Sequence, residues 1–142
     1  MKLASIDIET WGDLPEYALQ PYRLRRGEAY ITSVAAVDAD GVEWATLNPT
    51  KEQVRNWLQR QAASGARVVG HNSAFDIAWF LAWGLRDEVY AIRWLDTLLM
   101  WRHLCVRPEF AYPAGAKQSF SLKNAVRQYL PQYSDYEKDV SF

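Results

Sequence analysis

Arg67-Val68-Val69-Gly70-His71-Asn72-Ser73-Ala74-Phe75-Asp76 holds a short β-branched run that turns directly into a helical period. Residues 67–70 are too few for a helix and are bounded by glycine, so they read as a short buried strand. Ser73 to Trp83 then reads as a helix, with Gly84 as its C-terminal stop. Upstream, Thr50 can cap a helix with Gln53 as its capping-box partner, and Val54, Trp57, Leu58, Gln61 and Ala62 fall at helical spacing before Gly65. Downstream, Val89 to Leu95 reads as a strand and Asp96 to Leu104 as a helix. Further out lie a strand over Lys2 to Ile8, a long loop over residues 11–28, and two strands, Tyr30 to Val37 and Val42 to Leu47, joined by the turn Asp38-Ala39-Asp40-Gly41. Residues 106–120 hold Pro108, Pro113 and Gly115 and read as a loop. Ser121 caps a last helix, Leu122 to Leu130, which Pro131 ends. A hairpin followed by alternating helices and strands predicts an α/β layer fold whose sheet is antiparallel at first and parallel afterwards.

The composition narrows the function classes. With 142 residues the chain fits one domain, and 49% apolar residues can fill a core. Lys plus Arg number 16 against 17 Asp plus Glu, a net charge of −1, which excludes a module that binds nucleic acid by bulk charge alone. A 14% aromatic content argues against an acidic disordered tail. The single cysteine, Cys105, excludes an internal disulfide framework and a cysteine-built zinc site. No run approaches the roughly 20 apolar residues of a membrane span, and the charged start Met1-Lys2 does not read as a signal peptide. The expectation is a soluble, intracellular domain that makes no membrane contact.

The carboxylates carry the chemistry. Asp7 and Glu9 are two apart on the first strand, and a period of two puts both on one face. Two carboxylates side by side need solvation, a shared proton or a cation, and a hard divalent ion such as Mg²⁺ or Mn²⁺ selects oxygen ligands. The plain alternative is an exposed face of an edge strand. The stretch from Gly70 to Asp76 places His, Asn, an aromatic and an acid at a strand end, where α/β folds locate ligand sites. Asp76 there could meet Asp7 and Glu9, although an acid in a first helical turn also simply complements the helix dipole.

Ile6-Asp7-Ile8-Glu9-Thr10 resembles the first motif of the 3′–5′ exonucleases with a ribonuclease-H-like fold, the DEDD type. Asn72-Ser73-Ala74-Phe75-Asp76 resembles their second motif. Asp96-Thr97 at a strand-to-helix junction agrees with the same order. Ser121-Leu122-Lys123-Asn124-Ala125 resembles a Ser-Leu-x-x-Ala stretch in the proofreading domain of family A DNA polymerases, the bacterial polymerase I type, with bacteriophage members most similar. The resemblance spans essentially the whole chain and implies a ribonuclease-H-like mixed sheet flanked by helices. It implies hydrolysis of phosphodiester bonds at single-stranded DNA 3′ ends with two Mg²⁺ or Mn²⁺ ions about 4 Å apart. Asp7, Glu9 and Asp76 are then the catalytic and metal-holding acids. Thr10, Trp11, His71, Asn72, Phe75 and Leu122 are the substrate-contacting set. A polymerase domain in the same or a companion chain is the implied partner, and the cytoplasm, of the host for a phage protein, the implied location. A stand-alone RNA 3′ exonuclease is the enzymatic alternative, and a non-catalytic nucleic-acid-binding or scaffold module the alternative of another class.

The pattern breaks at the fourth acid. The family places an Asp after Tyr by three spacers or after His by four. Here Tyr133 leads to Glu137, Tyr136 reaches Asp139 after only two residues, and His103 leads to Pro108. We expect a chain that stops before the third motif and is weak or inactive by itself. The alternatives are substitution by Asp135 or Asp139, or an acid supplied by another chain.

Other residues carry plainer expectations. Trp57, Trp79, Trp94 and Trp101 read as core, and Trp11 as an exposed exception beside the first motif. Arg23, Arg25 and Arg26 are candidates for a phosphate path, with a solvated loop as the plainer reading. Asp96 reads equally as an outer metal-shell residue or as the cap of the helix starting at Thr97.

Overall fold

A computed structural model describes residues 1–111 and 119–134. The element order is β1 (Leu3–Gly12), β2 (Ala29–Val37), β3 (Glu43–Leu47), α1 (Lys51–Ser64), β4 (Arg67–Gly70), α2 (Ser73–Ala82), α3 (Arg86–Tyr90), β5 (Arg93–Asp96), α4 (Thr97–Leu104) and α5 (Leu122–Tyr129). The chain forms two compact units, Met1–Asp96 and Thr97–Phe142.

The first unit is an α/β layer built on a five-stranded sheet of order β3-β2-β1-β4-β5. β1 runs antiparallel to β2 and parallel to β4, and β4 runs parallel to β5. The sheet is therefore mixed, as its sequence pattern predicts, and β1 is its central strand. Along β1 the side chains alternate: Ala4, Ile6 and Ile8 are buried, while Ser5, Asp7 and Glu9 are exposed. Ile6 and Ile8 pair with Ala36 and Val34, so the apolar face continues across the strand pair. That face forms one core with Val54, Trp57 and Leu58 of α1, Trp79 and Phe80 of α2, and Leu85, Val89 and Ile92 around α3. The helices of this unit thus cover the face opposite Asp7 and Glu9.

Several expectations change. β1 extends to Gly12 rather than ending at Ile8, because β2 is long enough to pair with it as far as Gly12↔Ala29. Residues 11–28 are not a plain loop: they hold 3-10 turns at Pro15–Leu19 and Pro21–Arg26. The first turn lies hard against the end of β1. A Cβ on Gly12 would stand 2.4 Å from Tyr17 Cβ and 2.7 Å from Ala18 N, so only glycine allows the approach. The strand expected over Val89 to Leu95 begins later. Leu85 and Val89 are buried one helical turn apart, and Glu88 receives Arg55 Nε at 3.0 Å, so residues 86–90 coil into α3 before β5 starts.

In the second unit, α4 and α5 carry an aromatic cluster. The Trp101 ring stands edge-on to Phe120 at 5.3 Å and to Tyr129 at 5.9 Å between centroids. Ser121 Oγ accepts from Asn124 N–H at the start of α5, and Pro131 opens a further 3-10 turn rather than only ending the helix. Glu137, Asp135 and Asp139 lie outside the described residues, as does the segment 112–118.

Candidate functional site

β4 and β5 end near the middle of β1. The last β1–β4 pair is Ser5↔Val69, and β1 then continues alone on that side. The backbone N–H of Ile8 points into this gap. Asp76, in the first turn of α2, fills it: its Oδ1 accepts from Ile8 N–H at 3.1 Å. The carboxylate is only 3% exposed. Local sequence produces this arrangement because the run from Gly70 to Ser73 turns the chain at once from β4 into α2, with Asn72 in the left-handed region at φ 64°. Asparagine tolerates that conformation better than most residues.

Asp96 ends β5, where it pairs with Gly70. Its two oxygens accept from Asn72 N–H and Ser73 N–H, each at 3.0 Å. Asp7 and Glu9 of β1, Asp76 of α2 and Asp96 of β5 therefore lie towards the C-terminal ends of the parallel strands. A β-bulge falls between Glu9 and Thr10 on the β1–β2 pair, leaving Thr32 as the extra residue, and Thr32 Oγ1 donates to Glu9 O at 3.2 Å. Bulges of this kind re-aim neighbouring side chains.

The electrostatics follow from the crowding. Burial raises the Asp76 pKa to about 7, Asp7 and then Asp96 add repulsion, and the N–H donors of Ile8 and of Asp76 itself oppose the rise. Burial also raises Asp7, against the Ile8 N–H donor, and raises Glu9, where the charge of Asp7 adds to it. The groups that favour ionisation are backbone donors. The donor set is all carboxylate oxygen, which suits a hard divalent cation. Among the described residues, no three His, Cys, Asp or Glu side chains are drawn together closely enough to hold one ion. The couplings are instead Asp7 with Glu9, Asp7 with Asp76, and Asp76 with Asp96.

The remaining candidates sit as follows. Thr10 is half-buried and its hydroxyl donates to Ala18 O at 2.7 Å, tying β1 to the first 3-10 turn. Trp11 is 65% exposed. His71 is half-buried and Asn72 exposed, and the Asn72 side chain does not cap α2. Phe75 is half-buried and packs towards the core, its ring 6.1 Å from that of Trp79. Leu122 lies on α5 in the second unit and is exposed. Trp57, Trp79 and Trp101 are buried and Trp94 is partly buried, as expected.

The arginines of the 3-10 turns are largely committed elsewhere. Arg23 bonds Glu28 at 2.5 Å and Gln20, and its guanidinium lies 3.4 Å over the Tyr17 ring. Arg25 Nε donates to Ala82 O at 2.8 Å, at the C-terminal end of α2. Residue order does not reveal that Asp96 bonds the start of α2. The signal available was an Asp at a strand end, and residue order does not say which helix that carboxylate meets. No protein-family model matches the chain, and no curated protein sequence matches it.

Proposed function

We propose that the chain is a 3′–5′ exonuclease domain with a ribonuclease-H-like fold, acting on single-stranded DNA 3′ ends. The observation that carries this reading is the placement of Asp7 and Glu9 on the open face of the central strand, beside the buried Asp76 carboxylate on the same strand's free edge. A central strand that exposes two adjacent carboxylates, with a third acid held beside them at a raised pKa, is costly for stability alone. The strand order, with one antiparallel and one parallel neighbour for β1, is compatible with the fold. The ordered motifs around Asp7 and Asp76 support the reading.

In the mechanism, the pairs Asp7 with Glu9 and Asp7 with Asp76, rather than three acids around one ion, would hold Mg²⁺ or Mn²⁺, which when bound supplies an activated water and charge stabilisation at the leaving 3′ oxygen. Glu9, exposed together with Asp7 on the strand face, would orient the attacking water. The Ile8 N–H fixes the Asp76 carboxylate through Oδ1. Trp11, exposed directly after the first motif, offers a ring on which a terminal base can stack. A polymerase domain in the same or a companion chain is the proposed partner.

A 3′-labelled single-stranded oligonucleotide with Mn²⁺ tests the proposal. Slow shortening from the 3′ end is expected, slow because no fourth acid is found at its motif position, and Asp7→Ala should abolish it. Calorimetry should give Mn²⁺ heat in the wild type that is lost in Asp7→Ala. Absence of both trimming and metal heat in the wild type would overturn the reading in favour of a non-catalytic binding module.

A further inference from the structure

We infer that Asp96 is a positioning residue that sets the Asp76 carboxylate by clamping the start of α2. A helix leaves its first N–H groups without partners, and a residue just before the helix ordinarily satisfies one of them with its own side chain. Asn72 stands at that place but adopts a left-handed conformation, and its side chain makes no such bond. Phe75 N–H returns to Asn72 O at 2.9 Å, and the donor of the first helical residue, Ser73, is met from outside the helix. Asp96, 24 residues later on the adjoining strand, takes Asn72 N–H on Oδ1 and Ser73 N–H on Oδ2, each at 3.0 Å. One carboxylate thus bridges the turn and the first residue of the helix, and its negative charge complements the helix N-terminus.

The clamp is rigid on both sides. Asp96 is held in register opposite Gly70 by the β4–β5 pairing. Gly70 itself runs tight against the helix: a Cβ there would lie 3.0 Å from Ser73 Cβ. Three residues after Ser73, Asp76 projects from the same first turn and meets Ile8 N–H at 3.1 Å. The chain of contacts therefore runs from β5 through the α2 N-terminus to the central strand. A shift of the first turn moves the Asp76 carboxylate relative to Asp7 and Glu9, and groups that orient metal-holding side chains commonly control their affinity.

This inference rests on the proposed function only where it concerns metal. The Ile8 amide is a reporter that does not, because its hydrogen bond depends on Asp76, 68 residues away. Asp96→Asn preserves size but places an amide nitrogen against one N–H donor. Amide hydrogen exchange by NMR should then quicken at least about ten-fold at Asn72 and Ser73. It should quicken also at Ile8, with the amides of α1 unchanged as a control. Faster exchange at Asn72 and Ser73 with Ile8 unaltered would overturn positioning and leave a purely local cap. No change at any of the three would overturn the clamp itself. Asp96→Glu, which keeps both oxygens on a longer arm, should give intermediate rates, and the same reporter applies should Asp96→Asn fail to fold. In Mn²⁺ calorimetry, Asp96→Asn should bind about ten-fold more weakly than wild type. A wild type that neither binds Mn²⁺ nor shortens the oligonucleotide overturns the proposed function, while the Ile8 amide still decides on positioning.

Discussion

Asp76 is the residue at which charge and packing conflict most. Its carboxyl is buried near two other acids and is pushed from 3.8 to about 7. Below about pH 4 the group is protonated in both folded and unfolded chains and costs nothing. As pH rises towards 7 the unfolded chain releases a proton that the folded chain keeps, so this group lowers stability through that window and by a constant amount above it. Asp76→Asn keeps an oxygen acceptor for Ile8 N–H and removes the charge. It should stabilise the protein at pH 8 by at most about 4 kcal/mol, with the gain vanishing near pH 4. Urea titrations of both proteins at the two pH values check this, and an equal difference at both would refute the electrostatic account. Asp7 and Glu9 were identifiable from their two-residue spacing and from the Ile residues between and around them. Asp76 was identifiable as an acid in a first helical turn. Its burial and its bond to Ile8 were not, because both depend on where β4 stops beside β1.

At the scale of elements, local chemistry was the most readable. Thr50 and Gln53 form the reciprocal capping box expected of them: Gln53 N–H donates to Thr50 Oγ1 at 3.1 Å and Thr50 N–H to Gln53 Oε1 at 2.9 Å. Both bonds lie within four residues, so residue order alone specifies them. Thr50→Ala should cost about 1 kcal/mol, read as a lower urea midpoint with an unchanged slope. A change below about 0.3 kcal/mol would show that packing of α1 outweighs its cap. The segment at residues 86–90 went the other way. Val89 and Tyr90 favour a strand by type, but Leu85 and Val89 are drawn into the core beneath α1 and α2, and Arg55 reaches across to Glu88. Tertiary packing overrides a propensity worth only a few tenths of a kcal/mol per residue.

At the scale of the first unit, one core joins the sheet to its three helices, and Leu58 and Phe80 are fully enclosed in it. Leu58→Ala should lose roughly 2–5 kcal/mol, since both transfer and cavity terms apply. Circular dichroism and tryptophan fluorescence should follow one transition, because Trp57 and Trp79 sit in that same core. Two separate transitions would indicate that helices and sheet do not unfold together. Among the described residues, no helix is long and apolar enough to cross a membrane.

Alternation along β1, helical spacing in α1 and α2, and the turn chemistry between them were readable from residue order, because each depends on neighbours a few positions apart. That much defined an α/β fold and named Asp7, Glu9 and Asp76. The central place of β1, the bulge beside Glu9 and the clamp of Asp96 on α2 came only with the folded sheet. Each joins residues far apart in the chain, and strand order and register are set by packing across the whole sheet rather than by any local pattern.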